Sequence, residues 1–434
     1  MSAQASDLSL MGGWLPFTVQ SVTLVALVVA TGWRTRCWRV ASVPSSIAIG
    51  AVAMVGAYLM LQNAGIAGEP APKRLWVWTA ITGFGVGILV LGWPTSRWAR
   101  RNAAVFAVSF SLLSTGLVIN GWIGYFPTVG VAWNQLTNRP LPGQTSLAAV
   151  NGMRARGERP STGRLVAIET GSAASGFRHR TEWAYLPPAW FSSSAGPMPA
   201  VMMIGGEFNT PADWIRAGEA VSIADSFAGS HGGRAPVLVF VDPSGSITAD
   251  TECVNGVRGN AADHLTEDVV PQVISILGVS ADEAQWAVAG FSSGGTCAVD
   301  LAVMRPDVFH NFVDIGGDER PNAGTDTQTV QRLFGGDRAA FSAFDPATVI
   351  IRHGPYSRMS GLFIVPEGAA AGPGGDVASA HRLCRLGASR GISCTVRALP
   401  GRHDWPFAGA AFSTALPWLA DRLNADAASH FTVP

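Results

Sequence analysis

Charge is scarce in this 434-residue chain: Asp, Glu, Lys and Arg together make up 14%, against roughly 25% in soluble domains. The shortage lies in the first third, where long stretches carry almost none. Acidic and basic residues number 30 each, so no basic surplus points to nucleic acid. Among five cysteines (Cys37, Cys253, Cys297, Cys384 and Cys394) no C-x-x-C pair occurs, which argues against a zinc ribbon or a thioredoxin-like motif. The first apolar run has no Lys or Arg ahead of it. It therefore lacks the basic start of a signal peptide, the alternative reading of that run. No ionisable residue falls well inside an apolar run, whereas an ion or proton pathway needs one.

What is present in the first third is length without charge. Four apolar segments, near 14–33, 40–61, 76–93 and 103–126, each hold about 18 to 24 residues, and roughly 20 helical residues cross a bilayer core. Trp14, Trp33, Trp76, Trp93 and Trp122 mark several ends, as in an interfacial aromatic belt. Arg34, Arg36 and Arg39 follow the first segment, and Arg97, Arg100 and Arg101 follow the third. The second loop has Lys73 and Arg74, partly balanced by Glu69. The positive-inside rule then puts the first and third loops in the cytoplasm and both termini outside. The expected organisation is a four-helix transmembrane anchor over 1–126, a linker with Pro140, Pro142, Gly143 and Pro160 over 127–163, and a catalytic domain over 164–434.

In the last part, short apolar runs alternate with helical patterns. Strands are expected at 165–169, 183–186, 200–204, 237–241, 286–289, 312–315, 362–365 and 395–399, and helices near 214–228, 265–277, 294–304, 377–389 and 407–423. Continuous apolar strands alternating with helices predict an α/β class with a mostly parallel sheet covered on both faces.

The chemistry centres on Gly290-Phe291-Ser292-Ser293-Gly294, a G-x-S-x-G sequence between an apolar strand and a helical run. In that setting it predicts a nucleophile elbow, a sharp turn that exposes the Ser292 hydroxyl. The plainer alternative is an ordinary glycine-rich strand-to-helix turn, and Ser293 is the competing hydroxyl. A serine needs a base, and in this fold the order is Ser, acid, His. His403 lies directly after the last strand, in Leu399-Pro-Gly-Arg-His-Asp-Trp405, and is the expected base. His381 falls in a helical stretch, and His353 in a loop. The acid should follow the 361–365 strand: Asp376 is preferred, with Glu367 as the alternative and helix N-capping as the plainer duty of Asp376. The Ser293 amide and one from Gly206, Glu207 or Phe208, in the loop after the 200–204 strand, are the expected oxyanion donors.

Two further expectations concern the loop after the 237–241 strand. Asp250 and Glu252 would bind a polar part of the substrate, or else form a solvated or internally bonded loop. If the catalytic part lies outside the cytoplasm, Cys253, Cys297, Cys384 and Cys394 there invite two disulfides in one of three pairings. Buried free thiols are the alternative.

At these residues the chain resembles the putative-esterase family of α/β hydrolases, which includes esterase D-like enzymes and the bacterial mycolyltransferases. The resemblance rests on Ala200-Val-Met-Met-Ile-Gly-Gly206, Ala289-Gly-Phe-Ser-Ser-Gly-Gly295, Met304-Arg-Pro-Asp-Val-Phe309 running to Gly316-Gly317, and Gly401-Arg-His-Asp-Trp405. Asp250-Thr-Glu-Cys253 with Asp268-Val-Val-Pro271 looks like an actinobacterial membrane-anchored subgroup. The resemblance spans about 165–423 and implies an α/β-hydrolase domain behind about four transmembrane helices. The expected function is a cell-membrane serine esterase facing away from the cytoplasm and acting on acyl esters, with membrane lipids as natural partners. No cofactor, metal or nucleic acid is implied. The alternatives are acyl transfer to a sugar or lipid alcohol, as in the mycolyltransferases, and a non-catalytic binding protein on a hydrolase fold.

Overall fold

The computed structural model describes residues 7–32, 35–64, 71–192, 196–246, 248–367 and 376–429, with side chains described throughout except at 63–64, 376 and 424–429. Two compact units result, Met1–Asn138 and Arg139–Pro434. Trp33, Arg34 and Glu69, which entered the sequence reading of the loops, lie outside the described residues.

The first unit is built on helices α1 (Trp14–Thr31), α2 (Val43–Ala64, entered through a π-helical turn at Trp38–Ser42), α3 (Lys73–Gly92) and α4 (Trp98–Ile123). All four are long and apolar enough to cross a membrane. Their large apolar side chains point outward: Val25, Val28, Val52, Met60, Val90 and Leu112 are exposed. Small and hydroxyl residues, with a few large ones such as Trp38, Trp78 and Ile88, fill the inside. A Cβ on Gly83 would lie 2.7 Å from the Ala53 Cβ, and one on Gly87 2.7 Å from the Ser46 Cα. These two glycines, four residues apart on α3, let α2 approach closely, which is how helices pack where burial of apolar surface offers no drive. Thr23 and Ser114 hydroxyls meet at 3.2 Å between α1 and α4.

The second unit is organised by one sheet of nine strands: β1 (Gln144–Thr145), β2 (Arg164–Ile168), β3 (Glu182–Leu186), β4 (Ala200–Ile204), β5 (Val237–Val241), β6 (Trp286–Phe291), β7 (Asn311–Ile315), β8 (Ser360–Pro366) and β9 (Ser393–Leu399). Their order is β1-β2-β3-β5-β4-β6-β7-β8-β9. Only β3 runs against its neighbours; the other pairings are parallel. Every residue of β4, β5, β6, β7 and β8 is buried, as a sheet covered on both faces requires. The eight strands after β1, with the second one antiparallel, form the α/β-hydrolase arrangement. Helices α5 (Ala220–Ser230), α6 (Val270–Leu277), α7 (Ser293–Met304), α8 (Asp376–Ala388) and α9 (Trp405–Ser429) flank it.

All eight expected strands are present, lengthened by one to three residues where they differ, or shifted by one in the case of β2. Three features depart from the sequence reading. The expected 214–228 helix is split, because Gly218 and a left-handed Glu219 (φ 53°) turn the chain before α5. His353 is not in a loop but ends a helix, Pro346–His353, whose N-cap is Asp345. The 127–163 stretch is not bare linker: it holds helices Val129–Leu136 and Leu147–Ala155 and strand β1.

Two cysteine pairs stand at disulfide distance, Cys253 with Cys297 (S–S 2.05 Å) and Cys384 with Cys394 (2.12 Å). The first pins the loop after β5 to α7; the second pins α8 to β9. Closing a 44-residue loop stabilises a fold by about 4 kcal/mol on chain-entropy grounds, and the 10-residue loop by about 3 kcal/mol. We expect the paired change Cys253→Ser with Cys297→Ser to lower the urea midpoint more than the change at Cys384 and Cys394. Equal midpoints for wild type with and without reductant would show that the thiols are not bridged.

Candidate active site

The turn between β6 and α7 is made by glycines because nothing larger fits. A Cβ on Gly290 would lie 1.8 Å from the Gly294 carbonyl oxygen, and one on Gly294 2.4 Å from that of Ile204. Between them Ser292 takes φ 60° and ψ −128°, a strained conformation for a residue with a side chain. It is held there by its own amide, which donates to the Ile315 carbonyl at 2.9 Å, and by its carbonyl, which accepts from Gly295 at 2.7 Å. The outcome is a hydroxyl presented beyond the carboxyl end of β6, as the elbow reading requires.

His403 meets it there: its Nε2 lies 2.9 Å from Ser292 Oγ. The imidazole sits in the connection from β9 to α9. It packs 4.9 Å from the Phe291 ring and over Gly316, where a Cβ would stand 3.0 Å from its Nδ1. Next to it, Asp404 is buried and accepts from the Phe407 amide at 3.0 Å, fixing the entry to α9.

The loop after β4 runs against the nucleophile, since a Cβ on Gly206 would lie 2.9 Å from the Ser292 Cβ. Phe208 adopts φ 63°, and Asn209 returns its amide to the Gly206 carbonyl at 3.2 Å. Arg180 holds this loop from outside. Its guanidinium donates to the Asn209 carbonyl at 2.8 Å and to both oxygens of the fully buried Asp242 at 2.6 and 2.9 Å. Burial pushes the Asp242 carboxyl up, but the Arg180 hydrogen bonds and charge prevail and hold it below its ordinary range.

Of the two acids, Glu367 is exposed just past β8, and its amide donates to the Leu399 carbonyl at 2.7 Å. Asp376 is the first described residue of α8. Its side chain and residues 368–375 lie outside the described residues. Asp250 and Glu252 form the internally bonded version of their loop. Asp250 Oδ1 accepts from the Glu252 amide and Glu252 Oε2 from the Asn322 amide, both at 3.2 Å, and Arg258 stands 3.8 Å from Asp250. Burial raises both carboxyls, and for Glu252 the Asp250 and Asp318 charges add to it.

Their neighbour is Glu207, whose behaviour the sequence did not reveal. Burial, then the Asp250 charge, push its carboxyl up to about 8; Arg258 opposes this and Asp318 reinforces it. A carboxyl so raised is protonated at neutral pH in the folded state and ionised in the unfolded one. Its contribution is therefore complete below the ordinary carboxylate range, declines as pH rises, and is lost by about 8. We expect Glu207→Gln to remove part of the wild-type fall in melting temperature between pH 5 and 9. At pH 9 the gain should be on the order of 2 kcal/mol after discounting for partial exposure. Parallel pH curves for the two proteins would refute it.

One other cluster suits a cation. His179, Glu182 and His264 bring ligand atoms within 4.8 Å of one another.

Comparison with known proteins bears on the fold that carries this site. Residues 177–315 match the model of a family described as Putative esterase; the match takes in the elbow and stops short of His403. An uncharacterized protein of Corynebacterium glutamicum is 28% identical over 413 residues, 92% of each chain, so the likeness reaches into the apolar first third as well. Two solved structures align at TM-score 0.50. One is a ferulic acid esterase, at 15% identity over 60% of this chain and 99% of that one. The other is an S-formylglutathione hydrolase of Agrobacterium tumefaciens, at 19% identity over 61% and 97%. At such identities the two structures speak for the fold. Residues 177–315 are thus similar to the putative-esterase family, and the unit that carries them has the α/β-hydrolase fold.

Proposed function

We propose that the protein is a membrane-anchored serine esterase whose catalytic unit faces away from the cytoplasm and cleaves acyl esters of envelope lipids. The observation that carries this is the 2.9 Å approach of His403 Nε2 to a Ser292 held at φ 60° on the elbow. His403 takes the hydroxyl proton as Ser292 Oγ attacks the ester carbonyl, then gives it to the departing alcohol, leaving an acyl-enzyme. Water, deprotonated by the same imidazole, releases the acid. The Ser293 amide and one from Gly206, Glu207 or Phe208 bind the oxyanion, each worth about 3 to 4 kcal/mol. Asp376 orients the imidazole. Acyl transfer uses the same steps with a sugar or lipid hydroxyl in place of water; the half-buried setting of Ser292 and His403 suits either.

The test uses the full chain in detergent, a fluorophosphonate probe and a p-nitrophenyl acyl ester, with and without an added polyol. Stoichiometric labelling and ester turnover are expected. A polyol that captures acyl groups as a new ester assigns transfer; free acid alone assigns hydrolysis. Neither labelling nor turnover would leave a binding protein. For topology, a reporter active only outside the cytoplasm, fused after Pro434, should be active.

A further inference from the structure

The geometry points to a transition-metal site, best suited to Zn(II), formed by His179, Glu182 and His264 at the carboxyl edge of the sheet. Glu182 begins β3, and because β3 runs antiparallel to β5 it lies beside the end of β5, where Asp242 follows. His264 comes from the π-helical turn that leads into α6, and His179 from the chain just ahead of β3. Three stretches distant in sequence thus converge on one point. Glu182 and His264 are fully buried, and His179 is half-buried.

Each donor atom is prepared for a cation. His179 Nδ1 lies 2.9 Å from the Arg180 carbonyl oxygen. That oxygen can only accept, so the ring proton sits on Nδ1 and Nε2 presents a lone pair. His264 Nε2 lies 3.3 Å from Glu182 Oε1, while its Nδ1 lies 3.5 Å from Asp268 Oδ2. A carboxylate behind the second ring nitrogen is the arrangement that orients metal-bound imidazoles. Asp268 is itself fixed by the Ala174 amide at 2.9 Å and the Ser175 hydroxyl at 2.5 Å. Glu182 accepts from the Asp242 amide at 2.9 Å and from the Thr170 hydroxyl, which sets its plane. The two imidazoles stack with centroids 4.4 Å apart.

Spacing and charge agree with this. Ligand atoms around a tetrahedral zinc stand roughly 3.3 Å apart, given bonds of about 2.0 to 2.1 Å. The His264–Glu182 gap already has that value. His179, on a connecting segment and half-exposed, closes the remainder. Arg180 is paired with Asp242, while Glu182 and Asp268 both face His264, so a divalent cation would balance the cluster. Two imidazoles with one carboxylate suit zinc rather than calcium or magnesium. The fourth position, on the half-exposed side of His179, would hold water.

The metal would act as a brace. His179 adjoins Arg180, the residue that holds the loop lying against Ser292 through the Asn209 carbonyl. A cation joining His179 to β3 and the π-turn would fix that loop without touching the reacting atoms.

The experiment uses the full chain in detergent without a polyhistidine tag. After chelator dialysis, Zn(II) is titrated calorimetrically and metal content measured by atomic absorption. We expect one Zn(II) per chain, a higher melting temperature with metal, and at least about 100-fold weaker binding in His179→Ala. Glu182→Gln should weaken binding as well, while His381→Ala, a change of an exposed histidine on α8, should leave it alone. His179 is the main target because its partial exposure spares the core if no metal is bound. No saturable zinc binding, binding unchanged in His179→Ala, or a preference for calcium would each overturn the site. Metal content is read without substrate, so failure here leaves the esterase reading untouched, and failure of that reading leaves the site standing.

Discussion

Ser292→Ala should lower ester turnover by about 10⁴-fold or more and abolish fluorophosphonate labelling, with the melting temperature close to wild type. The size follows from what is removed. In the proposed reaction Ser292 Oγ forms the acyl bond, and it stands 2.9 Å from His403 Nε2. The residual rate comes from the oxyanion donors and binding. His403→Ala should lose about as much, because nucleophile and base act as one unit, and the double change should be little worse than either alone. Labelling that persists in the alanine protein would move the chemistry to Ser293.

Gly290→Ala should have the largest effect on folding, a loss above about 4 kcal/mol. The new methyl group would overlap the Gly294 carbonyl oxygen at 1.8 Å, and its other neighbours, the Gly294 carbonyl carbon at 2.2 Å and the Gly295 amide at 2.9 Å, are also backbone. No rotamer change relieves such contacts, so α7 must part from β6. A fluorimetric melt would show it, or the protein would fail to accumulate. Gly229→Ala is the control: it lies within α5 with nothing near its would-be Cβ, and alanine in a helix gains up to about 1 kcal/mol over glycine. Equal melting temperatures for Gly290→Ala and wild type would mean that the elbow is not packed as described.

The parts legible in the sequence are those written in local patterns. Continuous apolar strands, the Gly-x-Ser-x-Gly turn and the position of His403 after the last strand all follow from neighbours in the chain. The Pro346–His353 helix was missed because its signals, Asp345 as a cap and a proline in the first turn, are short and its apolar stripe is brief. The sequence marks Glu207 only by its amide, and nothing in it says that the carboxyl lies among Asp250, Asp318 and Arg258. The cluster of His179, Glu182 and His264 was invisible for the same reason, since its spacing spans 85 positions and is set by strand pairing. The cysteine mates are half legible: a helix followed by the next strand makes a local Cys384–Cys394 bridge easy and leaves Cys253 to Cys297, but sequence alone does not choose among three pairings.

The two margins of the sheet differ in a way that bears on solubility. A bare strand margin offers unpaired amides and carbonyls to any other chain, and long flat ones seed aggregation. On one side β1 is two residues long, too short to serve as a template. On the other, β9 has seven residues with exposed Thr395 and Arg397. Its Cys394 is pinned to α8, so a charge and a tether guard the longer margin. Loss of the Cys384–Cys394 link together with Arg397 would expose a seven-residue template and turn a well-behaved unit into one prone to stack.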